Sequence, residues 1–159
     1  MTFRHLSLLI IPVAALIAMP AMADGLVIPP VKDPVVAKEC GACHMVYPAG
    51  LLPARSWSAM TATLGNHFGD NAELDAATLK RITDYLTANA AETADRHILR
   101  GLASDTVPAR ITDLPSWKRQ HEKRDRVAPA ALARNGAKFK GDCKACHKQA
   151  ERGIFEDDD

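Results

Sequence analysis

The segments "CGACH" (Cys40–His44) and "CKACH" (Cys143–His147) decide how this sequence is read. They use all 4 cysteines of the 159-residue chain, and each is a C-x-x-C pair followed at once by histidine. Three ordinary explanations leave those histidines unaccounted for. A disulfide within either pair would close too short a loop to restrain the chain. Zinc sites built from two such pairs usually separate them by about 15–20 residues, whereas Cys43 and Cys143 are 100 positions apart. A thioredoxin-like redox motif needs a βαβ setting, and no strand pattern flanks either pair.

Covalent haem attachment explains every residue of the motif. Two thiols add to the two vinyl groups of one porphyrin, and the next residue lies under the iron as its proximal ligand. Cys40 and Cys43 with His44 therefore predict one haem c, and Cys143 and Cys146 with His147 a second. The rest of the composition agrees. After an N-terminal leader the chain keeps only three Phe, two Trp and two Tyr. So short a chain struggles to bury enough surface by itself, and two porphyrins would supply large apolar bodies to pack around.

The leader is "MTFRHLSLLIIPVAALIAMPAMAD". Arg4 and His5 precede an apolar run from Leu6 to Ala18, and Ala21-Met22-Ala23 form a small-x-small cleavage signature before Asp24. This is the pattern of a secretory signal peptide over residues 1–23. The run is short for a membrane span and is broken by Pro12, which disfavours an uncleaved anchor. No later segment is apolar enough to span a bilayer, so a periplasmic protein without a membrane span is expected.

Charge is unevenly spread. Residues 24–93 hold 5 Lys/Arg and 8 Asp/Glu (−3), and residues 94–159 hold 14 and 11 (+3). Four of those 11 acids are the tail Glu156–Asp159, without which the second half reads +7. Lys138, Lys140, Lys144 and Lys148 cluster around the second motif. This asymmetry suits either oriented docking with an acidic partner or simple solvation of the surface. Nucleic acid is not expected as a partner, because no basic-aromatic groove pattern is present.

Each iron has a second axial position. Met45 is tethered to the proximal face by its neighbour His44, and Met60 falls on the apolar stripe Trp57, Met60, Leu64, so both read better as structural residues. Methionine ligation would raise the potential. The stretch after His147, "KQAERGIFEDDD", contains neither His nor Met, so the opposing ligand must come from upstream. His67, His97 and His121 remain for two positions. His67 lies in "LGNHFGDNAEL", far enough beyond His44 for the chain to travel round the edge of a haem. Gly65 and Gly69 flank it and permit sharp turns. The loop leads into a strong helix start, with Asp75 as N-cap and Leu74 and Leu79 as a hydrophobic staple. His121 precedes Cys143 with similar slack, and it stands one helical turn after Trp117 in a short helix that Ser116 can cap. His97, in "ADRHILRGL", reads as a surface histidine and competes with His121.

Along the chain, residues 24–32 form an extended lead-in, and Asp33-Pro34 opens a helix that delivers the first motif. A Pro-rich loop, a helix around Trp57–Leu64, the His67 loop and a helix from about Ala76 to Ala90 complete a first unit. The remainder is an irregular connector and broken helices, with breaks expected at Gly136, Gly141 and Gly153. No strand pattern is convincing. The expected fold is mostly α with extensive loops, divided into a haem domain at 24–93 and an abbreviated one at 94–159 packed against it.

Residues 24–93 resemble a class I cytochrome c, with an N-terminal helix running into C-x-x-C-H and a final "L..I..YL" helix. The whole is similar to the small dihaem cytochrome c family of bacteria through "CGACH", "W..M...L..HFGDNAEL", "RITDLPSW...H" and "CKACH..A..G.F". The resemblance implies two low-spin haems, one held by His44 and His67 and the other by His147 and His121. His97 lies outside the matched pieces. It further implies a periplasmic electron carrier rather than an enzyme, with a membrane b-type cytochrome and an oxygen-binding monohaem cytochrome as redox partners. Two alternatives compete with that function. One is a haem with an open axial site for gas binding, sensing or peroxidase-like catalysis. The other is a cysteine-based metal or redox module without haem.

Overall fold

A computed structural model describes residues 25–122 and 125–156. The leader 1–23 with Asp24, Lys123, Arg124 and the last three acids of the tail lie outside the described residues.

Helix α1 (Pro34–Cys40) starts where Asp33 accepts hydrogen bonds from the amides of Val35 (2.8 Å) and Val36 (3.3 Å), with proline at the first helical position. It carries Cys40 to its last turn, and the amide of Gly41 closes it onto Ala37 O. Helix α2 (Ala54–Thr61) begins directly after Pro53, earlier than the apolar stripe suggested. It stops at Thr61, whose hydroxyl turns back to Trp57 O. A 3-10 turn at Leu64–Asn66 then leads into the His67 loop. Helix α3 (Ala76–Ala88) is capped as expected by Asp75, which accepts from Ala77 and Thr78 at 3.0 Å each. Hydrogen bonds from Thr78 and Ala77 hold its carboxyl below the usual carboxylate range. Ile82 and Leu86 face inward, and α3 packs on α2.

The later elements are short: α4 (Ala91–Ala94), α5 (Pro115–His121), α6 (Pro129–Arg134) and α7 (Cys143–Cys146). Ser116 does not cap α5. Pro115 occupies the first helical position and Leu114 precedes it, so the Ser116 hydroxyl donates instead to Ile98 O at 2.5 Å. Of the expected breaks, Gly136 and Gly153 take positive φ values of +67° and +75°.

Two short strands, β1 (Leu26–Val27) and β2 (Ile154–Phe155), correct the expectation of a strand-free chain. They pair antiparallel, Leu26 with Phe155 and Val27 with Ile154. At two residues each, neither is long enough for an alternating pattern to be visible. The pairing joins the lead-in to the far end of the chain.

One apolar core runs through both halves. Val36, Leu52, Trp57, Ile82 and Leu86 come from the first, and Ile98, Leu114 and Trp117 from the second. Burying each such side chain stabilises the fold by about 1.5–3 kcal/mol. Trp57 is fixed by its Nε1 donating to Ala49 O at 2.7 Å. Arg81 ties α3 to α1 through Asp33 at 3.0 Å, and Lys32 N donates to the Tyr85 hydroxyl at 2.9 Å, anchoring the lead-in. Among the described residues no helix is long and apolar enough to cross a membrane.

Gly153 makes the β1–β2 closure possible. Its φ of +75° favours glycine, and a Cβ there would run into the carbonyl oxygen of Ile28. That close approach lets Ile28 N donate to Gly153 O at 2.8 Å. Gly153→Ala is expected to cost about 1–3 kcal/mol from the backbone alone, measured by urea denaturation. Wild-type stability in the variant would show that this closure is not part of the stable fold.

Candidate functional site

α1 and the turn after it present Cys40, Cys43 and His44, and α7 presents Cys143 and Cys146 with His147 as the next residue. Neither pair forms a disulfide, which leaves all four sulfurs for thioether bonds to porphyrin. Among the described residues no three His, Cys, Asp or Glu side chains gather into a metal-binding group, so the two pairs do not converge as a zinc site would require.

The histidines meet two by two. The rings of His44 and His67 have centroids 6.2 Å apart and planes 28° from parallel. Those of His121 and His147 are 6.1 Å apart with planes at 83°. Metal–imidazole bonds run about 2.0–2.1 Å, so two imidazoles on opposite sides of one metal ion set their centroids about 6 Å apart. Both pairs therefore fit one iron between them, each beside its own cysteine pair.

Three of these rings are oriented by backbone carbonyls. Nδ1 of His44 donates to Met45 O (2.6 Å), that of His121 to Trp117 O (2.9 Å) and that of His147 to Glu156 O (2.8 Å). Such bonds fix the tautomer and leave Nε2 as the basic nitrogen. His121 is also stacked on Trp117, with centroids at 4.4 Å and planes 9° apart, and the Phe155 ring stands edge-on to His147 at 5.7 Å. His67 is held differently. Its pKa is lowered by burial and by the neighbouring His44, which favours the neutral, metal-binding imidazole. Phe68 packs edge-on against its ring at 4.9 Å, and the Arg110 guanidinium lies 3.8 Å from the centre of the Phe68 ring.

The remaining candidates fall elsewhere. The His97 side chain is 90% exposed, pairs with Asp95 at 2.9 Å and belongs to neither histidine pair. Met60 packs against the core and lines a cleft beside His67. Met45 serves His44 through its carbonyl. Gly69 has φ +106°, as a sharp turn needs, whereas the second left-handed residue of the loop is Phe68 (φ +57°), not Gly65.

Two contributors escaped the sequence reading. Arg110 reaches the His67 loop from the second half of the chain, and no local pattern announces a cation–aromatic contact across that separation. Tyr47 bridges the two motifs: its ring lies 5.0 Å from His44, and its hydroxyl donates to Gly141 O at 2.8 Å, just ahead of Cys143. Burial, with the nearby Cys143 and Asp142, pushes the Tyr47 pKa up to about 12.

The dihaem cytochrome c (DHC) family model matches residues 36–155. The chain belongs to the dihaem cytochrome c family. It is similar to the diheme cytochrome c from Rhodobacter sphaeroides, with 49% identity and a TM-score of 0.72, covering 79% of this chain and 98% of that one. A structure of DHC purified from Rhodobacter sphaeroides aligns at 47% identity and TM-score 0.64, covering 79% and 99%. The diheme cytochrome type c from Shewanella baltica OS155 aligns at 38% identity and TM-score 0.61, covering 77% and 86%. No curated protein matches. As a family member the chain carries two covalently bound haem c groups on a mostly helical, loop-rich fold, and it is a haem protein of the electron-carrying type.

Tyr47→Phe keeps the ring against His44 and removes the hydrogen bond to Gly141. It is expected to lower stability by about 0.5–1.5 kcal/mol with both haems retained, read by denaturant titration of the holoprotein. No loss of stability would mean that this bond does not join the halves.

Proposed function

We propose that this chain is a periplasmic carrier of single electrons in which His44 and His67 hold one haem iron and His147 and His121 the other. Cys40 and Cys43 attach the first haem, and Cys143 and Cys146 the second. Each haem, when bound, supplies an iron that gains and loses one electron. The observation that carries the reading is the pair of imidazole separations, 6.2 Å and 6.1 Å, each beside a C-x-x-C-H motif. With both axial positions filled by protein in the resting state, no coordination site stands open for a substrate, which argues against catalysis. Imidazole pairs lack the thioether that raises potential, so both centres sit below a His/Met centre. The secretory leader supports the periplasmic assignment.

Tyr47 gives the two centres a common scaffold, because it touches His44 and holds the peptide ahead of Cys143. Lys138, Lys140, Lys144 and Lys148 are all exposed around the second motif. Lys140 approaches Glu122 at 3.8 Å and Lys144 pairs with Glu151 at 2.8 Å, which partly neutralises the patch. The net basic face still suits an acidic docking partner. In this reading the partners are a membrane b-type cytochrome and an oxygen-binding monohaem cytochrome.

Electron paramagnetic resonance of the resting ferric protein tests the ligation. Nearly parallel imidazole planes split the iron dπ orbitals, whereas crossed planes leave them close in energy. Two low-spin signals of different anisotropy are therefore expected, from the pairs at 28° and 83°. His67→Ala should turn the less anisotropic signal high-spin, and His121→Ala the more anisotropic one. A high-spin haem in the resting wild type would overturn the reading. For docking, electron transfer to an acidic redox protein should slow several-fold as the Debye length falls from about 30 Å to about 8 Å with added salt. A rate indifferent to salt would remove the basic face from the account.

A further inference from the structure

The four paired histidines are not equally secured. His44, His121 and His147 each donate Nδ1 to a backbone carbonyl. Among the described residues, neither nitrogen of the His67 ring has a hydrogen-bond partner. Ligating histidines almost always have such a partner, which fixes the ring and raises its basicity. The second site has a ring on a helix, stacked on a buried tryptophan; the first has a ring on an exposed loop.

That loop is tied mainly to itself. His67 N donates to Asp70 O (2.7 Å), Asp70 N to His67 O (3.2 Å), Gly69 N to Asn66 Oδ1 (3.2 Å) and Ala72 N to Leu64 O (2.8 Å). It can therefore swing as a unit without breaking its own hydrogen bonds. Phe68 sits at φ +57°, costly for a bulky side chain, and is 47% exposed. Exposed, strained segments with few outside bonds are the first to open. From outside the loop, Arg110 lies over the Phe68 ring and acts as a latch.

Beside His67 is a cleft of about 260 Å³, lined by Ser56, Met60, Phe68, Val107 and Pro108 among others. The walls are mostly apolar, with Met60, Phe68, Val107 and Pro108 among them. Such a lining suits a small neutral molecule.

We propose that His67 is a releasable ligand and that the first haem site takes a neutral diatomic molecule, such as carbon monoxide, in its place. The proposal rests on the bis-histidine reading above. With haem bound, His67 would yield its place on the iron to the incoming molecule, one coordinate bond replacing another with no electron or proton transferred. The apolar walls of the cleft receive the guest, and Arg110 sets how readily the loop lets go.

Carbon monoxide titration of the dithionite-reduced holoprotein tests this, after the resting ferric spectrum has been recorded. The wild type should bind one molecule per chain. His67→Ala should also bind one, because the same site is already open, and His121→Ala should bind two. Arg110→Gln should bind one, about two- to fivefold faster than wild type as the cation–aromatic contact is lost. A low-spin protein that binds none, or a wild type that binds one while His67→Ala binds two, overturns the proposal and leaves bis-histidine ligation standing. An unchanged rate in Arg110→Gln overturns the latched loop. A high-spin haem in the resting wild type overturns the ligation reading itself, and with it this proposal.

Discussion

The proposed bis-imidazole ligation demands of each half a second imidazole about 6 Å in front of the histidine that ends its cysteine motif. The remaining architecture supplies two answers to that demand. In the first half the answer is a loop: after α2 the backbone turns through Phe68 and Gly69, and the capped start of α3 holds the loop's far end. In the second half the answer is a helix, where α5 carries His121 on the face of Trp117. Loop and helix reach nearly the same separation, 6.2 Å against 6.1 Å. They set the ring planes very differently, at 28° in the first pair and 83° in the second.

The core explains why neither half stands apart. Trp117 is buried with Ile82 and Leu86 in one cluster, yet its ring is also the platform for His121. The same side chain thus serves packing and site geometry. Tyr47 does likewise, with its ring against His44 and its hydroxyl on the Gly141 carbonyl. In a chain with few large aromatic residues, these two each do two things. Stacking of the Trp117–His121 kind is worth about 0.5–1.5 kcal/mol beyond area burial, enough to hold a ring orientation.

Local chemistry was legible in the sequence and distant contacts were not. The C-x-x-C-H spacing, Asp33 with Pro34, and Asp75 ahead of α3 are short-range signals, and the structure places caps and helices there. His67 and His121 could be nominated by elimination, since so few histidines remained, and the surface position of His97 agrees with that elimination. Ser116 misled because serine's capping preference yields to proline when Pro115 already fills the first helical position. Gly65 misled because the loop takes its left-handed turn at Phe68, where tertiary contacts with His67 and Arg110 outweigh intrinsic preference. The two-residue strands, Tyr47 with Gly141 and Arg110 with Phe68 all join residues far apart in the chain, and no window of sequence contains both partners.

The small β1–β2 pair reaches further than its size suggests. Glu156, whose carbonyl receives the His147 Nδ1 proton, directly follows β2, and β2 is held in place by Leu26 and Val27. A histidine near one terminus is thus aimed by residues near the other. A polypeptide emerging amino end first cannot finish aligning that imidazole until residues 153–156 have been made and have returned to meet the start. Maturation of this molecule is accordingly tied to chain closure: the second cofactor's setting is complete only once the two ends of the fold have met.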